Sequence, residues 1–491
     1  RVESLLDTFV GRLRDVHSAP LVPEQVVVQN TGMSRWLSLQ IAHSLGVAAN
    51  IEFSLPAGFL WSAFQQVLGD VPRERRFSAG YMSWTLMALF EQASSADDAL
   101  AGLDALRHYL APRPPLAEGA ALPVVAEGES DPRSASLKQF ELCRRLAQSY
   151  DQYLVYRPDW IEQWSAGDGE LWQARLWRLL DTRIDAEHWV SVQQRFHHAL
   201  GSEPGRCAGK LPRRVSVFSV TALSPGYLAA LAALSEVVDV DIYLVNPCRE
   251  YWGDIVSRRV VRRREAASTD ARKGDAGQPD SPILYLETAN SLLAALGRQG
   301  RDMIHPMQEY NAAVEETSLE PDSGKLLGLL QADMLRLRDR AGFAEQRRLL
   351  SAADRSLQFH ICHSAQREVE VLYDQLLERM SRDERLTPAD ILVMAPDIEA
   401  YTPYIDAIFS SALQRLPYSI ADRSLENESL LVEAFFKILD LAESRYEVEP
   451  IASLLEVPAV LARFELSEDD LPLLRHWLRQ AGICWGIDPQ H

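Results

Sequence analysis

The stretch Val26-Val27-Val28-Gln29-Asn30-Thr31-Gly32 decides the fold class of the first part of the chain. Its three consecutive valines predict a short buried strand. Beyond the polar turn, apolar residues recur at every fourth position from Met33 to Leu45, which predicts one apolar helix face with Gly46 as its stop. The order of strand, polar turn and helix is typical of an α/β fold with parallel strands.

A second α/β unit is expected in the middle of the chain. Residues Val215 to Val220 and Val238 to Val245 predict two strands, and the helix between them is expected from Pro225 to Leu234. A strand, a helix and a further strand in this order form a βαβ unit.

A third α/β unit is expected from about Ser356 onward. Apolar residues alternate with polar ones from Leu357 to Ile361 and predict a strand, and Ile391 to Met394 predict another. Helices are expected from Val369 to Met380 and around Tyr404 to Phe409.

The segments between these units differ in composition. Residues 112–136 are rich in Pro and Gly and predict a loop or linker, whereas Leu137 to Leu200 have a helical pattern that is dense in tryptophan. An arginine-rich run within residues 257–282 is interpreted as a solvated loop in preference to a DNA contact.

The bulk composition describes an acidic protein. The chain has 491 residues, a formal net charge of −19 and five scattered cysteines. From the length we expect about three compact units. We expect neither a disulfide framework nor a membrane span, and a cytoplasmic compartment. We also expect the chain to be part of a longer protein. Because a protein that coats DNA with its whole surface is basic, any nucleic-acid site here is expected to be a local channel.

The sequence carries no convincing catalytic motif. The nearest match to a phosphate-binding loop, Gly205-Arg206-Cys207-Ala208-Gly209-Lys210-Leu211, is one residue short and lacks the hydroxyl that binds Mg²⁺. Asp397-Ile398-Glu399 is followed by Tyr401 where a nuclease motif needs Lys. His360 and His363 point to opposite faces of the predicted strand. No residue is therefore assigned to catalysis, to a cofactor or to a metal.

A binding feature remains at the start of the first helix. Free backbone amides at a helix N terminus form a natural phosphate site, and here they follow Thr31-Gly32. Aromatic residues recur from Trp36 to Trp61, and the bases of single-stranded DNA stack on exposed aromatic rings by about 1–3 kcal/mol per base. For Trp61, a position in the helical core is the competing interpretation.

Several long strings in the chain carry a family resemblance. They are Val28 to Met33, Tyr150 to Trp160, Asn246 to Asp254, Gly297 to Asp302, His363 to Val371 and Trp485 to Asp488. These strings resemble the RecC family, the gamma subunit of exodeoxyribonuclease V, and the resemblance covers nearly the whole chain.

This resemblance implies an α/β fold made of superfamily 1 helicase-like domains that lack ATPase motifs, with a helical insertion. The first helicase-like domain would span residues 1–345, with an α/β core at about 1–90 and 205–345 and a helical insertion at about 91–204. Residues 350–491 would begin the second helicase-like domain.

The resemblance also implies a function. The chain would be a non-catalytic DNA-handling subunit that works with RecB-like and RecD-like subunits at DNA ends in double-strand break repair. It would guide the 3′-ended single strand and scan it for a Chi-type sequence. No cofactor is expected in this chain, and ATP and Mg²⁺ are expected only in the partner subunits. Two alternatives stay open: an AddB-like active helicase-nuclease subunit whose catalytic motifs lie outside this sequence, and a helical scaffold without a DNA role.

The implied DNA-binding residues agree with the family at most positions. The agreeing positions are Gln29, Thr31, Leu55, Trp61, Asp151 and Arg157. Three positions depart from the family pattern. Arg35 occupies a position where relatives have an amide, Gln148 one where they have an aspartate, and Trp189 one where they have an arginine. Because base contacts specify sequence, we expect the recognised DNA sequence to differ from that of the best-studied relatives.

Overall fold

The computed structural model describes residues 2–14, 22–95, 103, 106, 109, 132–256, 260, 289–310, 312–340, 348–349, 351–411, 415–421 and 429–486. The chain divides into two compact units, Arg1–Leu357 and Gln358–His491. The first unit is a mixed α/β structure with a small parallel sheet and many helices. None of the helices described is long and apolar enough to cross a membrane.

A four-stranded parallel sheet lies in the first unit. Its strands are β1 (Glu24–Val28), β2 (Ile51–Ser54), β3 (Arg214–Phe218) and β4 (Asp239–Tyr243), in the spatial order β2-β1-β3-β4. In this register Val27 pairs with Ser54 on one side and with Val217 on the other. Because all four strands are parallel, their carboxyl ends lie at the same edge of the sheet.

Helices surround this sheet and extend into a helical layer. They are α1 (Val2–Arg14), α2 (Thr31–Leu45), α3 (Pro56–Leu68), α4 (Ala79–Ser95), α5 (Pro132–Tyr156), α6 (Pro158–Ser165), α7 (Trp172–Ile184), α8 (Trp189–Ser202), α9 (Pro204–Ala208), α10 (Pro225–Leu234), α11 (Ser291–Leu296), α12 (Arg298–Met307) and α13 (Leu326–Leu335).

The valines of β1 contribute to two separate hydrophobic cores. Val26 and Val28 pack with residues of α1 and α2, whereas Val27 belongs to the larger cluster that includes α3, α5, α7, α8 and α10. This division follows from the strand geometry, since successive side chains point to opposite faces of a sheet. A continuous apolar run is therefore the pattern that a strand covered on both faces requires.

The first two predicted α/β units are confirmed. The polar turn after β1 leads into α2, and Gly46 ends that helix with a left-handed backbone at φ 86°. The helix predicted from Pro225 to Leu234 has these bounds in the structure, between β3 and β4. The strand β2 was not predicted, because four residues with an Ile-Glu-Phe-Ser pattern give a weak signal.

The helical prediction for Leu137 to Leu200 is confirmed by α5 to α8. The prediction of a linker at 112–136 is wrong at its end, because α5 begins at Pro132, where proline fits the first helical turn. Residues 112–131 lie outside the described residues. The arginine-rich run at 257–282 also lies outside them, apart from Val260.

The second unit is helical where the structure describes it. Its helices are α14 (Ala365–Arg382), α15 (Thr402–Ser411), α16 (Leu430–Asp440), α17 (Val448–Leu455), α18 (Pro458–Arg463) and α19 (Asp470–Ala481). The two helices expected here, from Val369 to Met380 and around Tyr404, are confirmed as parts of α14 and α15.

The two strands predicted in the second unit are wrong. The stretches Leu357 to Ile361 and Ile391 to Met394 pair with no strand among the described residues, and Ile361 and Met394 are 100 % and 83 % exposed. Alternation of apolar residues predicts an extended backbone, but a strand also needs a neighbour to receive its hydrogen bonds. Sequence pattern reports the first condition and not the second.

Candidate nucleic-acid interface

The carboxyl edge of the sheet carries the first group of predicted site residues. Gln29 follows β1 and Leu55 follows β2, so the parallel arrangement brings both to one edge together with Thr31. All three residues are exposed. Thr221, which follows β3, donates from its backbone N–H and its hydroxyl to Oε1 of Gln29 at 3.4 and 3.1 Å. These bonds connect the loops after β1 and β3, and the Gln29 amide nitrogen remains as a donor for a ligand.

The first turn of α2 is suited to an anion. Asn30 has an extended backbone, and its side chain accepts from the N–H of Met33 at 2.9 Å, so that α2 begins at Thr31. This turn contains no acidic side chain, and the N–H groups of Thr31 and Gly32 precede the first intrahelical bonds. The exposed Arg35 lies one turn farther along α2. The helix dipole, the amides and this guanidinium together favour a phosphate group.

Trp61 and Trp189 are core residues that stack on each other. Their ring centroids are 5.8 Å apart at an interplanar angle of 22°, and the two residues are 6 % and 7 % exposed. The indole N–H of Trp61 donates to the carbonyl of Pro72 at 3.2 Å, and that of Trp189 donates to Oε1 of Gln193 at 3.0 Å. The core position considered for Trp61 is confirmed. Since both rings are covered, neither offers an open face to a base, and their assignment to the DNA site stays a prediction.

Helix α5 carries the second group of predicted site residues. Gln148 and Asp151 are exposed and three positions apart, so they share a helix face. The helix passes over the start of α10, where a Cβ on Gly226 would lie 3.5 Å from the carbonyl oxygen of Val155. Partial burial raises the pKa of Asp151, and the positive charge of Arg75 opposes this effect.

Arg157 is held by its own neighbours at the junction of α5 and α6. Its Nε and Nη2 atoms donate to the two carboxylate oxygens of Asp159 at 3.0 and 2.7 Å. Its guanidinium carbon also lies 3.7 Å from the ring centroid of Trp160. The guanidinium lowers the pKa of Asp159 through these hydrogen bonds. Arg157 is therefore pre-oriented, but its charge is largely compensated.

Sequence reasoning did not select Arg75 or Tyr227. The Arg75 guanidinium carbon lies 5.6 Å from the centroid of Trp61, and the Tyr227 ring centroid lies 5.3 Å from that of Trp189. Both residues therefore border the stacked tryptophan pair. A signal for Arg75 was present, since the stretch Arg73-Glu74-Arg75-Arg76 is basic within an acidic chain.

Two family models match the chain. Residues 1–337 match the model described as RecC, N-terminal domain, and residues 428–491 match the model described as RecBCD enzyme subunit RecC fourth domain. Both matches agree with the family that the sequence strings resemble.

Curated proteins similar to this chain carry one common name, RecBCD enzyme subunit RecC. The protein of Escherichia coli strain K12 is 37 % identical over 99 % of this chain and 44 % of its own length. That of Haemophilus influenzae is 33 % identical over 95 % of this chain and 44 % of its own length. A Mycobacterium tuberculosis protein is 28 % identical over 100 % of this chain. The chain thus spans less than half the length of these relatives.

Proposed function

Because the chain belongs to the RecC family, we propose that it is the strand-guiding part of a RecBCD-type helicase-nuclease and has no catalytic activity of its own. In this role it guides the 3′-ended single strand and scans it for a Chi-type sequence during double-strand break repair. The observation that carries the proposal is the convergence of Gln29, Thr31 and Leu55 at the carboxyl edge of a parallel sheet. In open α/β sheets, ligands bind at this edge.

The proposal includes a superfamily 1 helicase-like origin for the domains expected at 1–345 and 350–491. The parallel sheet supports it for the first domain, since helicase-like cores are built on such sheets. The loop between β1 and α2 holds Asn30 and Thr31 where a nucleotide-binding fold places a glycine-rich phosphate loop. We infer that this loop contacts the DNA backbone.

The proposed partners rest on the names of the relatives, and the proposed cofactors of those partners rest on the family resemblance of the sequence. Since these relatives are named as RecC subunits of a RecBCD enzyme, we propose that this chain acts beside RecB-like and RecD-like subunits in the cytoplasm. ATP and Mg²⁺ would be bound by those subunits. The AddB-like alternative is not favoured, because both matching family models describe RecC.

We also propose that the recognised sequence differs from that of the best-studied relatives. Arg35 and Gln148 are exposed, so their departures from the family pattern change groups that a strand can reach. Trp189 is buried, so its departure would act through the packing around it.

The test uses the full-length protein assembled with its own partner subunits and a forked DNA with a 3′ tail. A double variant with Thr31→Ala and Arg157→Ala is expected to reduce photo-crosslinking of the tail, because both residues are proposed to contact the strand backbone. The matched control is Thr182→Ala with Arg183→Ala, two exposed residues of the same types on α7.

Reduced crosslinking in the first pair alone would support the proposal. Equal crosslinking in both double variants, each correctly assembled, would show that the carboxyl edge does not hold the strand.

A further inference from the structure

Gln193 of α8 is a buried amide whose two ends bind two different helices. Its Oε1 accepts from the indole N–H of Trp189 in α8 at 3.0 Å, and its Nε2 donates to the carbonyl of Gly226 in α10 at 2.9 Å. The residue is 8 % exposed. Because an indole N–H can only donate and a carbonyl can only accept, these two partners determine the orientation of the amide. Gln193 therefore connects α8 to the start of α10 in one defined geometry.

The start of α10 is also the point where this helix meets α5. A Cβ built on Gly226 would lie 3.5 Å from the carbonyl oxygen of Val155 in α5 and 3.6 Å from Oε1 of Gln193. Both values are ordinary contact distances, so the two backbones are close and leave room for one methyl group. The carbonyl that Gln193 binds thus belongs to the residue against which the end of α5 packs.

The loop 219–224 connects the same start of α10 to the carboxyl edge of the sheet. It runs from the end of β3 to the first residue of α10. Thr221 within it donates to Gln29 at that edge, and the buried Ser224 caps α10. The loop is therefore bonded to the sheet edge at Thr221, and the helix that follows it is bonded to Gln193.

We propose that Gln193 is a positioning residue for the single strand, because it fixes the distance between the carboxyl edge of the sheet and α5. A strand that contacts both surfaces then spans them with a set number of nucleotides. Since Gln193 is buried, it acts through Gly226 and not by contact with the strand. This inference rests on the proposed function, because it requires one strand to pass residues 29–35 and residues 148–157.

The test measures the register of crosslinks in the assembled complex of the full-length protein with its partner subunits, without ATP. Each forked DNA carries one 4-thiothymidine in an otherwise all-thymidine 3′ tail, at a different position in each member of the series. In the unchanged complex, adducts in peptides with residues 29–35 and in peptides with residues 148–157 are each expected to peak at one tail position. The measured quantity is the number of nucleotides between the two peaks.

Two variants change this distance by different means. Gln193→Met loses both hydrogen bonds and leaves α8 and α10 in contact through apolar packing, which is not directional. It is expected to shift or broaden the peak of residues 148–157 relative to that of residues 29–35. Gly226→Val places a branched side chain against Val155 and is expected to cause the same change with Gln193 intact, whereas Gly226→Ala fits the space and is expected to keep the spacing.

Asn290→Leu is the matched control for the loss of a buried amide. Asn290 is 6 % exposed, and its side chain accepts from the N–H of Leu293 at 2.9 Å and donates to the carbonyl of Arg338 at 2.8 Å. These partners lie in and beyond α11 and not in α5, α8 or α10. The control is expected to lower the melting temperature of the protein, as Gln193→Met does, and to keep the spacing of the two peaks.

Three outcomes would contradict the inference. An unchanged spacing in Gln193→Met or in Gly226→Val, each measured on assembled complex, would overturn it and leave strand guiding intact. The same change in Asn290→Leu as in Gln193→Met would overturn it too, because any loss of a buried amide would then be sufficient. If the unchanged complex forms adducts at neither surface, the proposed function fails as well.

Discussion

The indole rings of Trp61 and Trp189 stack at 5.8 Å and connect the helix that follows β2 with the helix α8 of the helical layer. Phe64 packs against the same pair, with its ring centroid 5.0 Å from that of Trp189. The pair therefore joins the carboxyl edge of the sheet to the part of the unit that carries Asp151. Aromatic pairs of this kind stabilise beyond the area they bury.

Trp61→Ala is expected to lower the free energy of unfolding by about 3–5 kcal/mol, because it leaves a cavity beneath Trp189 and removes the donor to Pro72. The measurement is chemical denaturation of the purified chain. Trp84→Ala is the control, since Trp84 is 65 % exposed, and its expected effect is below about 1 kcal/mol. Equal losses in the two variants would contradict the core role of Trp61.

Arg214 is the buried end of an ion pair that fixes the first helix to the sheet. Its Nη2 donates to Glu24 at 2.7 Å and its Nη1 donates to the carbonyl of Arg12 at 3.0 Å. Arg214→Ala is expected to destabilise the unit by about 3 kcal/mol, because it removes the buried guanidinium that binds both the Glu24 carboxylate and the carbonyl of Arg12. Arg206→Ala breaks an exposed pair with Glu203 and is expected to have little effect on stability, because solvent screens that pair. A small effect at Arg214 in urea denaturation would show that α1 is held mainly by its apolar face.

Stability is expected to fall on acidification because of His188. This buried side chain caps α8, with Nδ1 accepting from the N–H of Ser191 at 3.2 Å. Burial lowers the pKa of His188, against the opposing effect of Asp181 and other carboxylates. The unfolded state therefore binds a proton more readily than the folded state does. The contribution of His188 to the free energy of unfolding is present above its unfolded pKa of about 6.5, and it is lost as the pH falls through its folded pKa.

The measurement is the free energy of unfolding between about pH 7.5 and pH 5. His188→Asn keeps a capping acceptor and is expected to flatten this dependence, whereas the exposed His43→Asn is expected to keep it. If the two variants lose stability equally on acidification, the decline has another origin.

Asp159→Asn is expected to steepen the salt dependence of single-strand binding by the assembled complex. Asp159 compensates the charge of Arg157 through two hydrogen bonds, so its replacement frees a positive charge for one phosphate. For single strands, one such contact changes the slope of log K against log salt concentration by about 0.7. Asp168→Asn removes an equal charge from an exposed position on the loop before α7 and is the control. An unchanged slope in Asp159→Asn would place Arg157 away from the strand.

Local patterns predicted the sheet better than the rest of the fold. The strand β1, the helix α2 and the βαβ unit around α10 follow from periodicity within short windows. The stretches around Phe359 and Leu392 have equally good patterns and form no strand in the described residues, because pairing depends on residues far away in sequence. An alternating sequence pattern and a neighbouring strand to pair with are two separate conditions for a β-strand.

In the candidate site, too, the sequence predicts the positions of some residues and not of others. The positions of Gln29, Thr31 and Leu55 at one edge follow from the order of strand and turn. The proximity of Arg75 to Trp61 depends on how the loop after α3 folds back onto that helix, which no local pattern encodes. The burial of Trp189 likewise results from the packing of α3 against α8.

The most direct test of strand guiding along the carboxyl edge is a map of contacts in the assembled complex. A forked DNA whose 3′ tail carries 4-thiothymidine at successive positions would be irradiated, and the crosslinked peptides of this chain identified by mass spectrometry. We expect adducts in peptides that contain residues 29–35 and 148–157. Adducts only in peptides from the opposite edge of the sheet, around Glu24 and Arg214, or only in the partner subunits, would contradict the proposed path.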